Sequence, residues 1–176
     1  MKEQAPEITL SQLLDARDNR QRRQRQLLQE HSSGTLVVAT VVMPGPCKRN
    51  EDSLIIARAA VKAIVATFGE AIMWSEQSDL NTGFEGYFVI DVDVQEAKKL
   101  CVEIEESHPL GRLFDIDVIS SDGIPMPREA VGAKQRACLL CGDDARLCMR
   151  KHTHSCEELL KEIHRMTNEY IQRHKD

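Results

Sequence analysis

Long apolar runs and an excess of basic residues are both missing from this 176-residue chain. No stretch approaches the ~20 apolar residues of a membrane-spanning helix, and the polar residues 1–7 lack the apolar core of a signal peptide. The formal net charge of −5 argues against a nucleic-acid-binding protein, because such proteins carry a basic surface. We therefore expect a cytoplasmic protein that binds neither membranes nor nucleic acid.

The chain contains six cysteines, but their distribution does not suggest a disulfide scaffold. Cys47 and Cys101 are isolated, whereas the other four fall within residues 138–156. In a reducing compartment such a cluster more often binds a metal than forms disulfides. The length is also sufficient to bury a core without disulfide support.

Three parts can be distinguished along the chain. Residues 1–34 contain an N-terminal helix, residues 35–120 form an α+β core, and residues 121–176 contain a linker, a cysteine cluster and a terminal helix. Within the core, hydrophobic periodicity predicts strands at 35–43, 71–76, 86–94 and 113–120, with helices at 52–68 and 95–107. This βαββαβ order predicts the ferredoxin-like fold, an antiparallel sheet with two helices on one face.

The N-terminal helix has polar residues within its apolar stripe. At ~100° per residue, one face combines seven residues: Leu10, Leu13, Leu14, Arg17, Gln21, Gln24 and Leu28. One interpretation is an edge helix whose long side chains extend to water. The other is a helix that lines a polar cleft, with Arg17 and Arg20 binding a phosphate. Arg22, Arg23 and Arg25 are expected on the solvated face.

Residues 108–118 form the most informative segment. Asp115 and Asp117 would project from one face of an apolar strand, with Cα atoms ~6.6 Å apart. Mg²⁺ commonly bridges such carboxylates and substrate phosphates. Arg112 adds a permanent positive charge for the same phosphates, and Gly111 would let the backbone approach a ligand closely. Alternatively, the two aspartates simply cover the solvent face of an amphipathic strand.

The loop at residues 44–48 follows the first strand and precedes a helix. Lys48 would then lie near a helix N-terminus, where unpaired backbone N–H groups help to bind an anion. The alternative is that the Gly and Pro residues of this loop serve only the turn.

The tail contains a cluster of thiol and imidazole side chains: Cys138, Cys141, Cys148, His152 and His154. Three Cys and one His complete a structural zinc site, for which His154 is the candidate fourth ligand. The spacing is shorter than in common zinc fingers, and such three-cysteine clusters can instead remain reduced and metal-free. Alternatively, Cys138 and Cys141 can be small buried residues of a helix. A capping box, Ser155-x-x-Glu158, predicts that the terminal helix begins directly after the cluster.

Five segments, in order along nearly the whole chain, resemble the citrate lyase holo-acyl-carrier-protein synthases, also called apo-citrate lyase phosphoribosyl-dephospho-CoA transferases. They are residues 13–21, 41–48, 105–118, 136–141 and 148–150, the last followed by His154. The most specific is Glu105-Glu106-Ser107-His108-Pro109-Leu110-Gly111-Arg112-Leu113-Phe114-Asp115-Ile116-Asp117-Val118.

This resemblance implies a nucleotidyltransferase that moves 2′-(5″-triphosphoribosyl)-3′-dephospho-CoA to a serine of the citrate lyase acyl carrier (gamma) subunit and releases diphosphate. Asp115 and Asp117 would hold Mg²⁺ against the triphosphate, while Arg112 would stabilise the leaving diphosphate. His108 is the candidate general base, unless it caps the preceding helix or orders the turn. The candidate substrate-binding residues are Arg17, Arg20, Gln24, Lys48 and Gly111.

Two other functions stay open from the sequence. One is the equivalent transfer to the carrier of malonate decarboxylase. The other is a non-enzymatic, zinc-stabilised adaptor that binds a carrier protein, for which Asp115 and Asp117 would be dispensable while Cys138 and Cys141 would not.

Overall fold

The computed structural model describes residues 6–174, so the first five residues of the polar N-terminal segment lie outside it. Within this range the chain forms five α-helices and a four-stranded sheet, which confirms the predicted α+β class. The sheet order is β2-β3-β1-β4, and every neighbouring pair is antiparallel. The elements are α1 Leu10–Glu30, β1 Thr35–Val41, α2 Glu51–Phe68, β2 Ile72–Leu80, β3 Gly83–Ile90, α3 Val94–Ser107, β4 Phe114–Ile119, α4 Ala145–Lys151 and α5 Cys156–Arg173.

Strand alternation gives the sheet two different faces. One face packs against α2, α3 and α5 in the main hydrophobic core, to which the strands contribute Val37, Ala39, Phe88, Ile90, Phe114, Ile116 and Val118. The opposite face packs against Leu27 of α1 in a smaller cluster that contains Leu36, Val38, Tyr87, Val89 and Ile119. Helix α1 therefore covers the face of the sheet that α2 and α3 leave open.

The predicted N-terminal helix is present, but its buried face differs from the predicted stripe. Ala16 and Leu27 are buried, whereas Leu10 and Leu14 are 71% and 48% exposed. The helix is rotated because charged residues on α1 pair with carboxylates on the sheet, as described below. Periodicity alone ranks apolar side chains and gives no weight to such pairs.

Strand β2 is longer, and the turn between β2 and β3 is shorter, than the sequence indicated. The predicted strands left residues 77–85 as a loop, but β2 continues to Leu80 and pairs with Gly83 across a two-residue turn. Because β2 is an edge strand, its exposed side carries polar residues and its apolar signal is weak.

The C-terminal segment returns to the core. The capping box at Ser155 and Glu158 is present and begins α5 as predicted. Leu160, Met166 and Tyr170 then pack against the main hydrophobic core. Residues 120–127 run beside the outer edge of β4, where the Met126 N–H donates to the Val118 carbonyl at 2.8 Å. This segment covers part of a strand edge that would otherwise be open to other chains.

In the part of the chain that the structure describes, no helix combines the length and the apolar character needed to cross a membrane.

The rotation of α1 can be tested with two identical truncations in one helix. Leu27→Ala should lower the free energy of unfolding by about 2–5 kcal/mol, because Leu27 is fully buried between α1 and the sheet. Leu14→Ala should change it by less than about 0.5 kcal/mol, because this side chain is half exposed. Urea unfolding measures both values, and equal losses in the two variants would contradict the observed rotation.

Candidate active site

Asp115 and Asp117 project from the same face of β4, as the sequence predicted. In the antiparallel register Asp115 lies opposite Thr40 and Asp117 opposite Val38 on β1. Val38 belongs to the cluster that packs against α1, so both carboxylates lie on the α1 side of the sheet. The Asp115 side chain is 51% exposed and accepts a long hydrogen bond of 3.4 Å from the Thr40 hydroxyl.

The two carboxylates repel each other. Burial and then the charge of Asp115 raise the pKa of Asp117, while Lys98, Arg136 and Arg20 oppose this shift. An ionised pair at this position is therefore destabilised by desolvation and by like charge. A bound cation would relieve both effects, so the donor set suits a hard metal such as Mg²⁺.

Arg20 of α1 is fixed on the same face by a hydrogen-bonded network. Its Nε donates to Glu85 Oε1 at 2.9 Å, and the Tyr87 hydroxyl donates to Glu85 Oε2 at 2.6 Å. Burial, followed by this bond to Glu85, raises the pKa of Tyr87 and keeps the phenol protonated. Glu85 lies opposite Thr40, which in turn lies opposite Asp115, and Tyr87, Val38 and Asp117 form the neighbouring row on the same face.

Arg23, which the sequence placed on the solvated face, instead contacts the sheet. Its Nη2 donates to Glu76 Oε2 at 2.5 Å, and its guanidinium lies 5.4 Å from the centre of the Trp74 ring. The prediction for Arg23 was wrong because the apolar pattern of α1 does not reveal acidic and aromatic partners on β2.

The other residues predicted to bind the substrate lie on α1 and in the loop between β1 and α2. Arg17 is exposed and Gln24 is half buried, one turn before and one turn after Arg20. Lys48 Nζ donates to the Met43 carbonyl at 2.6 Å. Burial lowers the pKa of Lys48, and the nearby positive charge of Arg17 lowers it further.

Glu105 of α3 binds three partners that the sequence did not connect. It is 5% exposed, and its Oε1 accepts the Ile116 N–H of β4 at 2.9 Å. Its Oε2 accepts from Arg128 Nη1 at 2.5 Å, and Arg136 Nη2 donates to its Oε1. Burial raises the pKa of Glu105, whereas Arg136 lowers it most strongly among the opposing groups. One buried carboxylate thus joins α3, the edge of β4 and the C-terminal segment.

Arg136 also reaches the aspartates. Its Nη2 lies 3.6 Å from Asp115 Oδ1 while it remains bound to Glu105. A guanidinium from the C-terminal segment therefore lies beside Asp115. In sequence it follows β4, whereas the arginines of α1 precede the core. Arg136 falls within one of the segments used for the family resemblance, but no role was assigned to it.

Gly111 and Arg112 have different surroundings from those expected. A Cβ at Gly111 would clash with the backbone oxygen of Glu105, so close packing against the end of α3 requires glycine at this position. Arg112 Nη2 donates to the Ala137 carbonyl at the base of the cysteine cluster. Burial, and then the charge of Arg136, lower the pKa of Arg112.

His108 lies on the face of the sheet that packs against α2, α3 and α5. Its Nδ1 accepts the Leu110 N–H at 3.0 Å, and its ring lies 4.9 Å from that of Phe114 and 5.4 Å from that of Tyr170. Burial lowers the pKa of His108 and favours the neutral ring. Phe114 points into the main core, away from the face that carries Asp115.

The cysteine cluster comes together as predicted. The ligand atoms of four side chains all lie within 4.8 Å of one another: Cys138, Cys141, Cys148 and His154. His154 Nε2 is buried without a hydrogen-bond partner, which is costly for an imidazole nitrogen unless it binds something. Although burial opposes it, the backbone N–H groups of Cys141 and Leu140 lower the pKa of Cys138 to about 6. Among the described side chains, this is the one cluster of three or more metal-binding groups.

The chain matches the family model described as "Apo-citrate lyase phosphoribosyl-dephospho-CoA transferase" over residues 8–170. It is 39% identical to the protein of that name from Citrobacter koseri over 157 residues, which covers 87% of this chain and 85% of the relative. A probable transferase of the same name from Vibrio cholerae is 38% identical over 93% of each chain. Protein CitXG from Haemophilus influenzae is 34% identical, and the aligned region covers 89% of this chain but 34% of that longer protein.

A match of this extent defines a class of transferases. The chain belongs to the apo-citrate lyase phosphoribosyl-dephospho-CoA transferase family.

Sequence reasoning overlooked Glu105 and Glu85. For Glu105 a signal was present, because Ala97, Cys101 and Glu105 recur every four residues on the buried face of α3. For Glu85 there was none, since it lies outside the predicted strand. Its burial depends on Arg20 from a distant helix.

The role of Glu105 can be measured against its neighbour, since Arg128 pairs with both Glu105 and Glu106. Glu105→Ala should lower the free energy of unfolding by about 3–5 kcal/mol, because two arginines and a backbone N–H lose a buried partner. Glu106→Ala should cost less than about 1 kcal/mol, because that carboxylate is exposed. Chemical unfolding gives both values, and a loss below about 1 kcal/mol for Glu105→Ala would refute the buried junction.

Proposed function

We propose that this protein transfers 2′-(5″-triphosphoribosyl)-3′-dephospho-CoA to a serine of the citrate lyase acyl carrier (gamma) subunit and releases diphosphate. Family membership supports the reaction class, as do the names of the relatives. The observation that carries the proposal is the pair Asp115 and Asp117 on one face of β4, with Arg136 3.6 Å from Asp115 and Arg20 close enough for its charge to act on Asp117.

Asp115 and Asp117 would hold Mg²⁺, as the raised pKa of Asp117 and the shared strand face suggest. When bound there, Mg²⁺ would neutralise charge on the triphosphate and orient it for in-line attack. Thr40, which donates to Asp115, would keep that carboxylate oriented. Both carboxylates lie on the α1 side of the sheet, and the substrate would enter from that side.

The cations around the pair would position the phosphates. Arg20 is held by Glu85 and Arg136 by Glu105, so both guanidinium groups are preorganised before substrate arrives. Preorganised positive charge stabilises developing negative charge without a reorganisation cost. Arg17 would add positive charge from α1, and its charge also acts on Lys48 in the loop before α2. Gln24 would add hydrogen bonds from the next turn of α1.

His108 takes a structural role in this proposal. Its Nδ1 is already used by Leu110, and its ring packs with Phe114 on the far side of the sheet from the aspartates. We propose that it orders the turn that delivers Arg112 and the start of β4. This was the alternative left open from the sequence.

The proposal extends to the fold of the core, the docking of the carrier and the cellular location. The strand order β2-β3-β1-β4 with α2 and α3 on one face supports the ferredoxin-like plan for residues 35–120, with residues 1–34 and 121–176 as additions. Exposed arginines of α1, Arg17, Arg22 and Arg25, would dock the acidic carrier beside the site. All six cysteines are free, which suits the cytoplasm.

The aspartate pair is tested with Asp117→Asn. The rate of carrier modification, followed by mass spectrometry of the carrier with Mg²⁺ and the triphosphoribosyl precursor, should fall by at least about 100-fold. Asp122→Asn, an equal change in the exposed linker, should leave the rate unchanged. A malonate decarboxylase carrier in place of the citrate lyase carrier should gain no mass.

The same variant gives a readout that does not depend on activity. Because the pKa of Asp117 is raised, its ionised form destabilises the fold, and this cost appears as pH rises through that pKa. Asp117→Asn should therefore raise Tm at pH 7 without Mg²⁺, and the gain should vanish below about pH 4. Mg²⁺ should raise the Tm of the wild type but not of the variant. Near wild-type carrier modification by Asp117→Asn would disprove the metal pair.

We also propose that Cys138, Cys141, Cys148 and His154 bind one structural zinc ion. The closeness of their ligand atoms supports this, as does the buried, unpartnered Nε2 of His154. Zinc there would fix the segment that carries Arg136, whose carbonyl accepts the Ala145 N–H within the same hairpin.

Metal analysis of the purified protein should find about one zinc per chain. Cys141→Ser should lose the zinc and lower Tm. Cys156→Ser, a thiol outside the cluster, should keep it. Zinc-free wild-type protein with full activity and unchanged Tm would rule out this site.

A further inference from the structure

A cavity of about 450 Å³ lies between the core and the C-terminal segment. Its walls come from the residues that follow β1, from the cysteine cluster and α4, and from α5, where Leu159 and Ile163 line it. The volume falls in the range of about 300–1,000 Å³ typical of small-molecule sites. The aspartate pair does not line this cavity, so it is a separate space.

The walls have an unusual chemistry. They are mainly aliphatic side chains, sulfur atoms and two histidines, and none of the described lining residues is Phe, Tyr, Trp, Asp or Glu. A purine base would lack the aromatic faces on which such rings commonly stack. A flexible aliphatic chain, by contrast, needs only apolar contact.

Two cations also line the cavity, Lys48 and Arg112. Lys48 donates to the Met43 carbonyl and Arg112 to the Ala137 carbonyl. Burial lowers the pKa of both side chains, and the structure describes no ion pair between either of them and a carboxylate. Two partly buried cations without a carboxylate partner favour an anionic group on the ligand.

The cavity adjoins the aspartate site along the chain. Arg112 and Leu113 line it and directly precede β4, on which Asp115 is the second residue. Arg136, which contacts Asp115, also lies close enough to Arg112 to lower its pKa. Because residues just after β1 and just before β4 line it, the cavity lies at the end of the sheet nearest Asp115, and a ligand bound at the aspartates would extend into it around that end.

We infer that this cavity binds the pantetheine arm of the dephospho-CoA group, with its diphosphate between Lys48 and Arg112. The inference rests on the proposed function, which supplies a substrate with an adenosine, a diphosphate and an aliphatic arm. The arm is the flexible, non-aromatic part of that substrate, and its methyl and methylene groups match the aliphatic walls. The diphosphate is the anion that matches the two cations. The C-terminal segment thereby acts as one wall of the substrate site.

Calorimetry with two probes tests the assignment. Dephospho-CoA contains the adenosine, the diphosphate and the arm, whereas ADP lacks the arm. Wild-type protein should bind dephospho-CoA at least tenfold more tightly than ADP. Equal affinities would overturn the inference.

Two variants fill the cavity, Ala145→Leu on α4 and Leu159→Phe on α5. Each should weaken the binding of dephospho-CoA at least tenfold and leave the binding of ADP unchanged. Unchanged ADP binding also shows that the variant is folded. Leu147→Phe is the matched control, because Leu147 lies on α4 but is exposed and does not line the cavity. Unchanged dephospho-CoA binding in both folded filling variants would overturn the inference, as would an equal loss for both probes.

The two proposals fail differently. If the filling variants discriminate between the probes but wild-type protein adds no mass to the carrier, the cavity stands and the transfer reaction falls. If the carrier is modified normally but the filling variants bind dephospho-CoA like the wild type, the transfer stands and the cavity assignment falls.

Discussion

The arrangement of the site depends on one buried carboxylate, Glu105. An unpaired carboxylate would be strongly destabilising in this position, so its partners are held tightly. Those partners come from three places: the Ile116 N–H at the edge of β4, Arg128 after the linker, and Arg136 before the cysteine cluster. Glu105 thus fixes where the C-terminal segment lies relative to the strand that carries the aspartates.

The arginines near Asp115 and Asp117 are also held by buried carboxylates. On one side Arg20 is oriented by Glu85, and on the other Arg136 is oriented by Glu105. Each arginine has an acidic partner of its own, so its guanidinium is fixed in place without the aspartates. The aspartates, by comparison, repel each other and are not fully neutralised, which leaves them able to bind a cation.

Features governed by local chemistry could be predicted from the sequence. The alternation of residues 114–118 placed Asp115 and Asp117 on one face, and the capping box at Ser155 and Glu158 marked the start of α5. The close spacing of the cysteine cluster also brought its ligands together. The first two features depend on neighbours within a few residues and the third on residues 138–154, so the sequence displays all of them directly.

Features governed by distant partners could not be predicted in this way. Arg23 looked solvated because its partners, Glu76 and Trp74, lie on an edge strand far along the chain. Gly111 looked like a ligand contact, but the end of α3 leaves no space for a Cβ there. In both cases the deciding neighbour is set by packing and not by spacing.

The sequence by itself determined the order of strands and helices in the core, the shared face of the aspartates and the grouping of thiol and imidazole side chains in the tail, because each is a periodic or short-range property. Only the tertiary structure decided which face of α1 meets the sheet, that His108 lies behind the sheet, and that Arg136 stands beside Asp115. The positions of α1 and Arg136 follow from the burial of Glu85 and Glu105, since each buried carboxylate requires cationic partners from distant parts of the chain. The position of His108 follows from its ring contacts with Phe114 and Tyr170.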